Sequence, residues 1–336
     1  MNINAAEPAE DWLKMTADFL FVSNDRYVKY LGICTYSVMH NMCPAVEHVR
    51  LFVMDCGITG ENKARLAHQA ARFDNAEIIF YNIERKLDEI VPKIPNNWNP
   101  AIYGRLFLTE ILKLYDISRL VYFDCDLLMD RPVTELFTMQ LDGRCIAGVS
   151  DGESTLRKKA LGIDSRYPYI NSGVLVIDTA RWVEMDASTK VIDYINSFPD
   201  KLVYPDQDAI NYIMRDEIKL LDPKYNMLLM LCERDIPIIL HQSENYIYNE
   251  EQTVRALYHG NIYHFAGHDM WSFYSITPAH AIIFKKYRRL CDWRNEKRKF
   301  GGLRNFALWS LVSLKRLLIG EFSLTRKKMN EKITEQ

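Results

Sequence analysis

Short apolar runs that alternate with stretches of helical spacing constrain this chain more than any other feature. Phe19-Leu20-Phe21-Val22 reads as a strand ending in Ser23-Asn24-Asp25, and a helical pattern follows from Tyr27 to Asn41. Val49 to Asp55 is a second strand, Lys63 to Phe73 has helical spacing, and Glu77-Ile78-Ile79-Phe80 is a third strand. Such alternation builds βαβ units, in which crossover helices cover a mainly parallel sheet. Three prolines and three asparagines between 92 and 100 mark a loop, and Ile102 to Tyr115 is expected to be helical. The clearest strand is Arg119-Leu120-Val121-Tyr122-Phe123, closed by Asp124-Cys125-Asp126. Apolar runs recur at Ile146–Asp151 and Asn171–Asp178; Asp206-Gln207-Asp208 opens a helix-like stretch, and Ile262-Tyr263-His264 ends a short strand.

The expected class is therefore α/β, and composition agrees. Hydrophobic residues make up 48% and charged residues 26% of 336, the profile of a globular protein with one large domain and an appendage, or two modest domains. A net charge of −2 gives no argument for nucleic acid. The seven cysteines are odd in number, none at CxxC spacing and most within apolar runs, so buried free thiols and a reducing compartment are expected. The first residues carry Glu7, Glu10 and Asp11 and lack the basic and apolar regions of a secretory signal. No apolar run approaches the roughly 20 residues that span a bilayer.

In open α/β sheets ligands gather at the carboxyl ends of strands. Asp124 and Asp126 stand at such an end. Carboxylates are hard oxygen ligands suited to Mg²⁺ or Mn²⁺, and a metal there can hold a diphosphate as it leaves. Joined by His264, the set would favour Mn²⁺, with Mg²⁺ the alternative. The other reading is that the two aspartates cap the following turn.

The motifs occur in an order that resembles a known family. Phe21 to Leu31, Tyr103-Gly104-Arg105-Leu106, Val121 to Asp126, Ile170 to Leu175, Pro205 to Asn211 and His264-Phe265-Ala266-Gly267 follow the pattern of glycosyltransferase family 8. These are retaining enzymes that include bacterial lipopolysaccharide galactosyl- and glucosyltransferases and glycogenin. The resemblance implies a GT-A fold, a Rossmann-like α/β sandwich, placed over about residues 18–276; the residues themselves read as a leader or short peripheral helix over 1–17 and a basic, aromatic helical extension over 277–336. It implies that a UDP-hexose donor gives up its sugar to a glycan or glycolipid acceptor.

It also implies roles for single residues. Asp124, Asp126 and His264 would hold Mn²⁺; Val22, Ser23, Asn24 and Tyr27 would take the uridine; Cys125 and Gly267 would belong to the donor-binding set, with His268 supplying a donor in place of the family's diphosphate lysine. Arg105, Asp151, Asn171, Asp206 and Gln207 would surround the donor sugar and carry the catalysis. Gln207 is a poor nucleophile, and its amide carbonyl suits an oxocarbenium-like sugar, so front-face displacement is expected, with Asp206 the alternative nucleophile. Two of these patterns also have simpler readings. Asn171-Ser172-Gly173 can be a turn, and Asp206-Gln207-Asp208 a helix start with favourable acids.

The chain departs from the family in two places. The usual metal motif continues to a diphosphate-contacting lysine, whereas this chain runs His264-Phe265-Ala266-Gly267-His268-Asp269-Met270-Trp271 with no lysine and no proline. Asn24 and Arg26 also replace the more usual Asp and Asn of the first motif. A nucleotidyltransferase is the weaker rival, because Val22 to Arg26 holds no glycine.

Between Lys285 and Arg316 basic residues outnumber acidic ones and alternate with Phe300, Phe306, Trp309, Leu311 and Leu314. This pattern suits contact of residues 285–319 with an anionic membrane surface. It fits a cytoplasmic protein lying at the inner face of the membrane. The alternative is a helix packed on the domain with a solvated basic face.

Overall fold

The computed structural model describes residues 15–90, 99–151, 155–228, 247–273 and 278–300, with Gly302, Leu303, Phe306, Ala307 and Ser310 beyond them. Most of the expected leader, most of the 92–100 loop and the 285–319 stretch past Ser310 lie outside the described residues.

The first half alternates as its apolar periods require. The elements are β1 (Thr16–Ser23), α1 (Val28–Met42), β2 (His48–Asp55), α2 (Gly60–Ala70), β3 (Ala76–Asn82) and, after a connection, β4 (Arg119–Phe123). β5 (Leu127–Met129), β6 (Ile146–Gly148), β7 (Val174–Asp178), α3 (Pro205–Ile213) and β8 (Ile218–Leu220) follow. β9 (Met227–Leu228), α4 (Glu250–His259), β10 (Ile262–His264), β11 (Ser272–Phe273), α5 (Pro278–Leu290) and β12 (Lys299–Phe300) complete the main elements. Local chemistry fixes several starts. The Thr59 side chain accepts from the Asn62 N–H ahead of α2, Asn249 and Gln252 form a capping box at α4, and Pro205 opens α3.

Among the described residues the central sheet runs β3-β2-β1-β4-β7-β6-β8. The β1–β2, β2–β3, β1–β4 and β6–β8 pairs are parallel, and β7 is antiparallel to both neighbours. A second sheet, β5-β10-β9, lies beside the end of β4, and β11 pairs with β12. One apolar core packs α1 and α2 on one face of the central sheet and the other packs Tyr103, Leu106, Trp182 and Ile210 on the opposite face.

One expectation needs correction. Pro100–Phe107 is a 3-10 helix, and only Leu108–Leu112 of the expected Ile102–Tyr115 helix is α-helical. The tighter turn fits Gly104 against Val22, where an added Cβ would lie 2.4 Å from Val22 Cγ1. The Ile146–Asp151 run is a strand only as far as Gly148, after which Ser150 makes an isolated bridge to Ile170. The C-terminal segment packs into the main body as far as Trp293. Phe284, Tyr287, Cys291 and Trp293 share a core with β1 and α1, and Gly32 in α1 leaves room for the Trp293 ring. Cys34, Cys125, Cys145 and Cys291 are buried free thiols, while Cys43 and Cys56 are half-buried.

Candidate functional site

Strand pairing assembles the site. β4 ends at Phe123, and the Asp124 N–H continues its ladder onto the Gly173 carbonyl at 2.9 Å. β5 pairs antiparallel with β10 so that Leu127 faces His264, and the Phe265 N–H donates to the Asp126 carbonyl at 3.0 Å. His264 is thereby laid against Asp124-Cys125-Asp126, from which it is far removed in sequence. β10 also pairs with β9, His264 opposite Leu228, which brings Asn226 beside the imidazole.

His264 Nε2 stands 3.3 Å from Asp126 Oδ1 and 3.8 Å from Asp124 Oδ2. One donor atom from each of the three residues lies within 4.8 Å of the others, a spread that a single ion can bridge. Two carboxylates and an imidazole fit a divalent transition metal with positions left open. An added Cβ on Gly173 would meet His264 Cε1 at 2.3 Å, Asp124 Oδ2 at 2.8 Å and Asn171 Oδ1 at 2.9 Å, so only glycine leaves this space free.

Burial alone would raise the Asp124 carboxyl. The Arg105 charge, His264 and hydrogen bonds from Tyr122 and Arg105 outweigh it and hold the group below the usual carboxylate range. Burial opposes charge on His264, but the adjacent Asp126 and Asp124 raise it above the ordinary histidine value. Asp151 and Asp206 are raised by burial, which Asn171 and Gln207 offset only in part at Asp151 and Arg105 only in part at Asp206.

Arg105 is 5% exposed and faces inward. Nη1 donates to the Ser172 carbonyl at 2.6 Å, and Nη2 lies 2.9 Å from Asp124 Oδ1 and 3.2 Å from Asp206 Oδ2. Its guanidinium stacks 4.0 Å from the Tyr122 ring centroid, and Tyr122 donates its hydroxyl to Asp124 Oδ1 at 2.6 Å. Arg105 thus ties the metal-side carboxylate to the start of α3.

The other expected sugar-side residues form one buried network. Asn171 Nδ2 donates to Asp151 Oδ2 and Gln207 Oε1, each at 3.1 Å. Gln207 Nε2 donates to Asp151 Oδ2 at 2.9 Å, and Ser172 Oγ donates to Asp206 Oδ2 at 3.2 Å. The expected role of the Gln207 carbonyl needs revision. Gln207 Oε1 accepts from the Ser172 N–H at 3.1 Å as well as from Asn171, so it faces the network.

At the first strand end, Asn24 Oδ1 accepts from the Tyr27 N–H at 3.2 Å, and Ser23 Oγ donates to the Asn24 carbonyl at 3.1 Å. These side chains shape the turn, Val22 packs on Gly104, and Tyr27 is 45% exposed at the rim. The Cys125 thiol donates to the Val22 carbonyl at 3.1 Å, and burial pushes its pKa up. Gly267 takes a φ of 76° in a turn closed by the His268 N–H onto the Phe265 carbonyl at 2.7 Å. Asp269 Oδ1 then accepts from the Tyr30 hydroxyl at 2.5 Å and the Trp271 N–H at 2.9 Å.

Sequence reasoning missed Tyr122, Tyr169, Asn211 and Asn226. Strand alternation was a usable signal for Tyr122, because it lies two residues before Asp124 and so on the same face. Asn211 clamps the Ile170 main chain through both its amide atoms, at 2.7 and 2.8 Å, and holds α3 against the Asn171 turn. Asn226 carried no usable sequence signal, because its burial and its place beside His264 arise only on folding.

The chain matches the family model for glycosyl transferase family 8 over residues 19–269. It is 30% identical over 241 residues to general stress protein A of Bacillus subtilis (strain 168), covering 70% of this chain and 82% of that one. It is 25% identical to a lipopolysaccharide 1,2-glucosyltransferase of Escherichia coli (strain K12), covering 60% of this chain and 59% of the relative. Among solved structures, the galactosyltransferase LgtC in complex with donor and acceptor sugar analogues is similar, with a TM-score of 0.66, 21% identity, and coverage of 82% of this chain and 96% of that one.

Proposed function

The chain belongs to glycosyl transferase family 8 and has the GT-A fold, and on that premise we propose that it is a retaining hexosyltransferase. Its donor is a UDP-hexose, glucose or galactose, and its acceptor a saccharide of the lipid-linked or lipopolysaccharide kind. The observation that carries this reading is the convergence of Asp124, Asp126 and His264 at the end of β4, with buried Arg105 behind them. These three residues would hold the divalent ion, Mn²⁺ in preference to Mg²⁺ because an imidazole is among the donors. Such an ion, when bound, screens the charge that develops on a departing diphosphate.

The chain's own groups do the rest. Arg105 lies against both Asp124 and Asp206, holds the Asp124 carboxyl below its usual range and fixes that carboxylate toward the metal side. Asp206 is 7% exposed and paired with Arg105 and Ser172, a poor disposition for a nucleophile. With Gln207 Oε1 also engaged, the geometry favours front-face displacement, in which the leaving phosphate takes the acceptor proton. Asp151, Asn171 and Gln207 serve as the rigid polar wall beside the sugar. Trapping a sugar on Asp206 with a slow substrate would overturn this route.

A second reading, a sugar-nucleotide binder without turnover, is favoured by one observation. Where the family pattern places a lysine the chain has Met270, and the preceding Asp269 is a carboxylate bound to Tyr30, Trp271 and Ser272. UDP release from a panel of UDP-sugars with Mn²⁺, compared with Asp126→Asn, separates the two. Metal-dependent release lost in the variant supports the transferase, and tight UDP binding without release across the panel supports the binder.

The 285–319 stretch is the proposed contact with an anionic membrane at the cytoplasmic face. Among its described residues Phe300 is 64%, Leu303 77% and Phe306 45% exposed, next to Lys297 and Lys299. No helix among the described residues is long and apolar enough to cross a membrane. Because Trp293 packs in the core, charge reversal at Lys297 and Lys299 in the full chain is the suitable flotation test. Unchanged binding to anionic vesicles would remove the contact.

A further inference from the structure

We infer that Asn226 is a positioning residue that fixes the tautomer of His264 through a one-way chain of amide hydrogen bonds; this rests on the metal-holding reading above. The direction of the chain follows from main-chain groups that can only donate. The Gly173 N–H donates to Asn171 at 3.0 Å, so the atom it meets is the carbonyl oxygen Oδ1. Asn226 meets that same oxygen at 2.9 Å and must present Nδ2–H to it. Asn226 Oδ1 is therefore the atom 2.9 Å from His264 Nδ1, and it requires a proton on Nδ1. In the neutral imidazole Nε2 then carries the lone pair, and Nε2 is the nitrogen that faces Asp126 and Asp124.

A second main-chain donor fixes the far end of the chain. The Ser172 N–H donates to Gln207 Oε1 at 3.1 Å, which turns Gln207 Nε2 toward Asp151 at 2.9 Å and the Tyr169 hydroxyl at 3.2 Å. The Tyr169 hydroxyl donates its own O–H to Asp208 Oδ1 at 2.6 Å, and Asp208 is paired with Arg157. Every link from His264 through Asn226, Asn171 and Gln207 to Tyr169 thus donates in one direction. His264 is 3% exposed, Asn226 1% and Asn171 8%, so water competes little for these bonds. A hydrogen bond at the far nitrogen of a metal-binding histidine sets both the ring orientation and the tautomer, and its loss weakens metal binding about 10–100-fold.

The test uses the full chain and reads more than turnover. Nitrogen NMR of ¹⁵N-histidine-labelled apo-protein, at a pH high enough for the ring to be neutral, should show His264 protonated on Nδ1. Mn²⁺ titration followed by EPR should show Asn226→Ala binding about 10–100-fold more weakly than wild type. Asn226→Asp keeps the acceptor and should retain the Nδ1–H signal, with affinity well above that of the alanine variant. A wild-type His264 protonated on Nε2 overturns the inference without any variant having to fold. So does unchanged Mn²⁺ affinity in a folded Asn226→Ala protein. A wild-type chain that shows the Nδ1–H signal yet takes up no Mn²⁺ supports the amide chain and refutes the metal-dependent function instead.

Discussion

Gly173→Ala places one methyl group at the centre of the site. The added Cβ would lie 2.3 Å from His264 Cε1, whereas non-bonded carbons settle at about 3.5–4.0 Å. More than an ångström must be found, and the neighbours offer little of it. The ring is held at Nδ1 by Asn226, and the same methyl presses on Asp124 Oδ2 at 2.8 Å and Asn171 Oδ1 at 2.9 Å. A retreat of the imidazole by about 1 Å is several times the roughly 0.2 Å tolerance of a metal–ligand bond. The expected loss of Mn²⁺ affinity is at least about 100-fold, or about 2.7 kcal/mol. Gly173 is not among the glycines with positive φ, so the backbone accepts alanine and the fold should survive with an overpacking cost of about 1–3 kcal/mol. Calorimetric Mn²⁺ titration measures the first quantity, urea unfolding the second, and UDP release the consequence for turnover. A folded Gly173→Ala protein that binds Mn²⁺ as tightly as wild type would refute the placement of His264 as a ligand.

Three further outcomes are expected. Gly32→Ala drives a methyl group to 2.1 Å from Trp293 Cε3, so it should destabilise the fold by about 3 kcal/mol in urea while the folded fraction keeps its metal affinity. Arg105→Lys replaces a fork that reaches Ser172, Asp124 and Asp206 by a single ammonium. Leaving buried Asp206 without its partner should lower stability by about 3 kcal/mol and cut turnover, and an unchanged unfolding curve would contradict the buried pairing. Hydrogen bonds from Lys113 and Lys86, with one from Tyr81, hold Glu110 at about 2, below its usual 4.5. A lowered pKa means that this contribution is complete above pH 4.5 and is lost as pH falls through 2. For a surface cluster, solvent screening leaves about 1 kcal/mol, so wild type and Glu110→Gln should differ by about that at pH 6 and converge near pH 2.

The first half of the fold was legible because its signals are local. Strands β1 to β4 and the helices between them follow apolar periods of two and 3.6 residues, which buried faces impose whatever lies beyond them. The Pro100–Phe107 segment shows the limit of that reasoning. Its apolar spacing suits either helix type, and contact of Gly104 with Val22 accompanies the tighter one. Arg105 was expected near the donor, but its three inward partners come from separate segments and could not be ordered from spacing alone.

Carboxylates after a buried strand already mark a ligand site, and the sequence by itself determined that Asp124 and Asp126 stand there and that His264 ends a later strand. Only the tertiary structure decided that these meet. The β5–β10 register lays His264 over Leu127, and the β9–β10 pairing sets Asn226 behind it. Which ring nitrogen faces the carboxylates depends on main-chain donors at Gly173 and Ser172, and hydrogen-bond direction between distant segments exists only once the chain is folded.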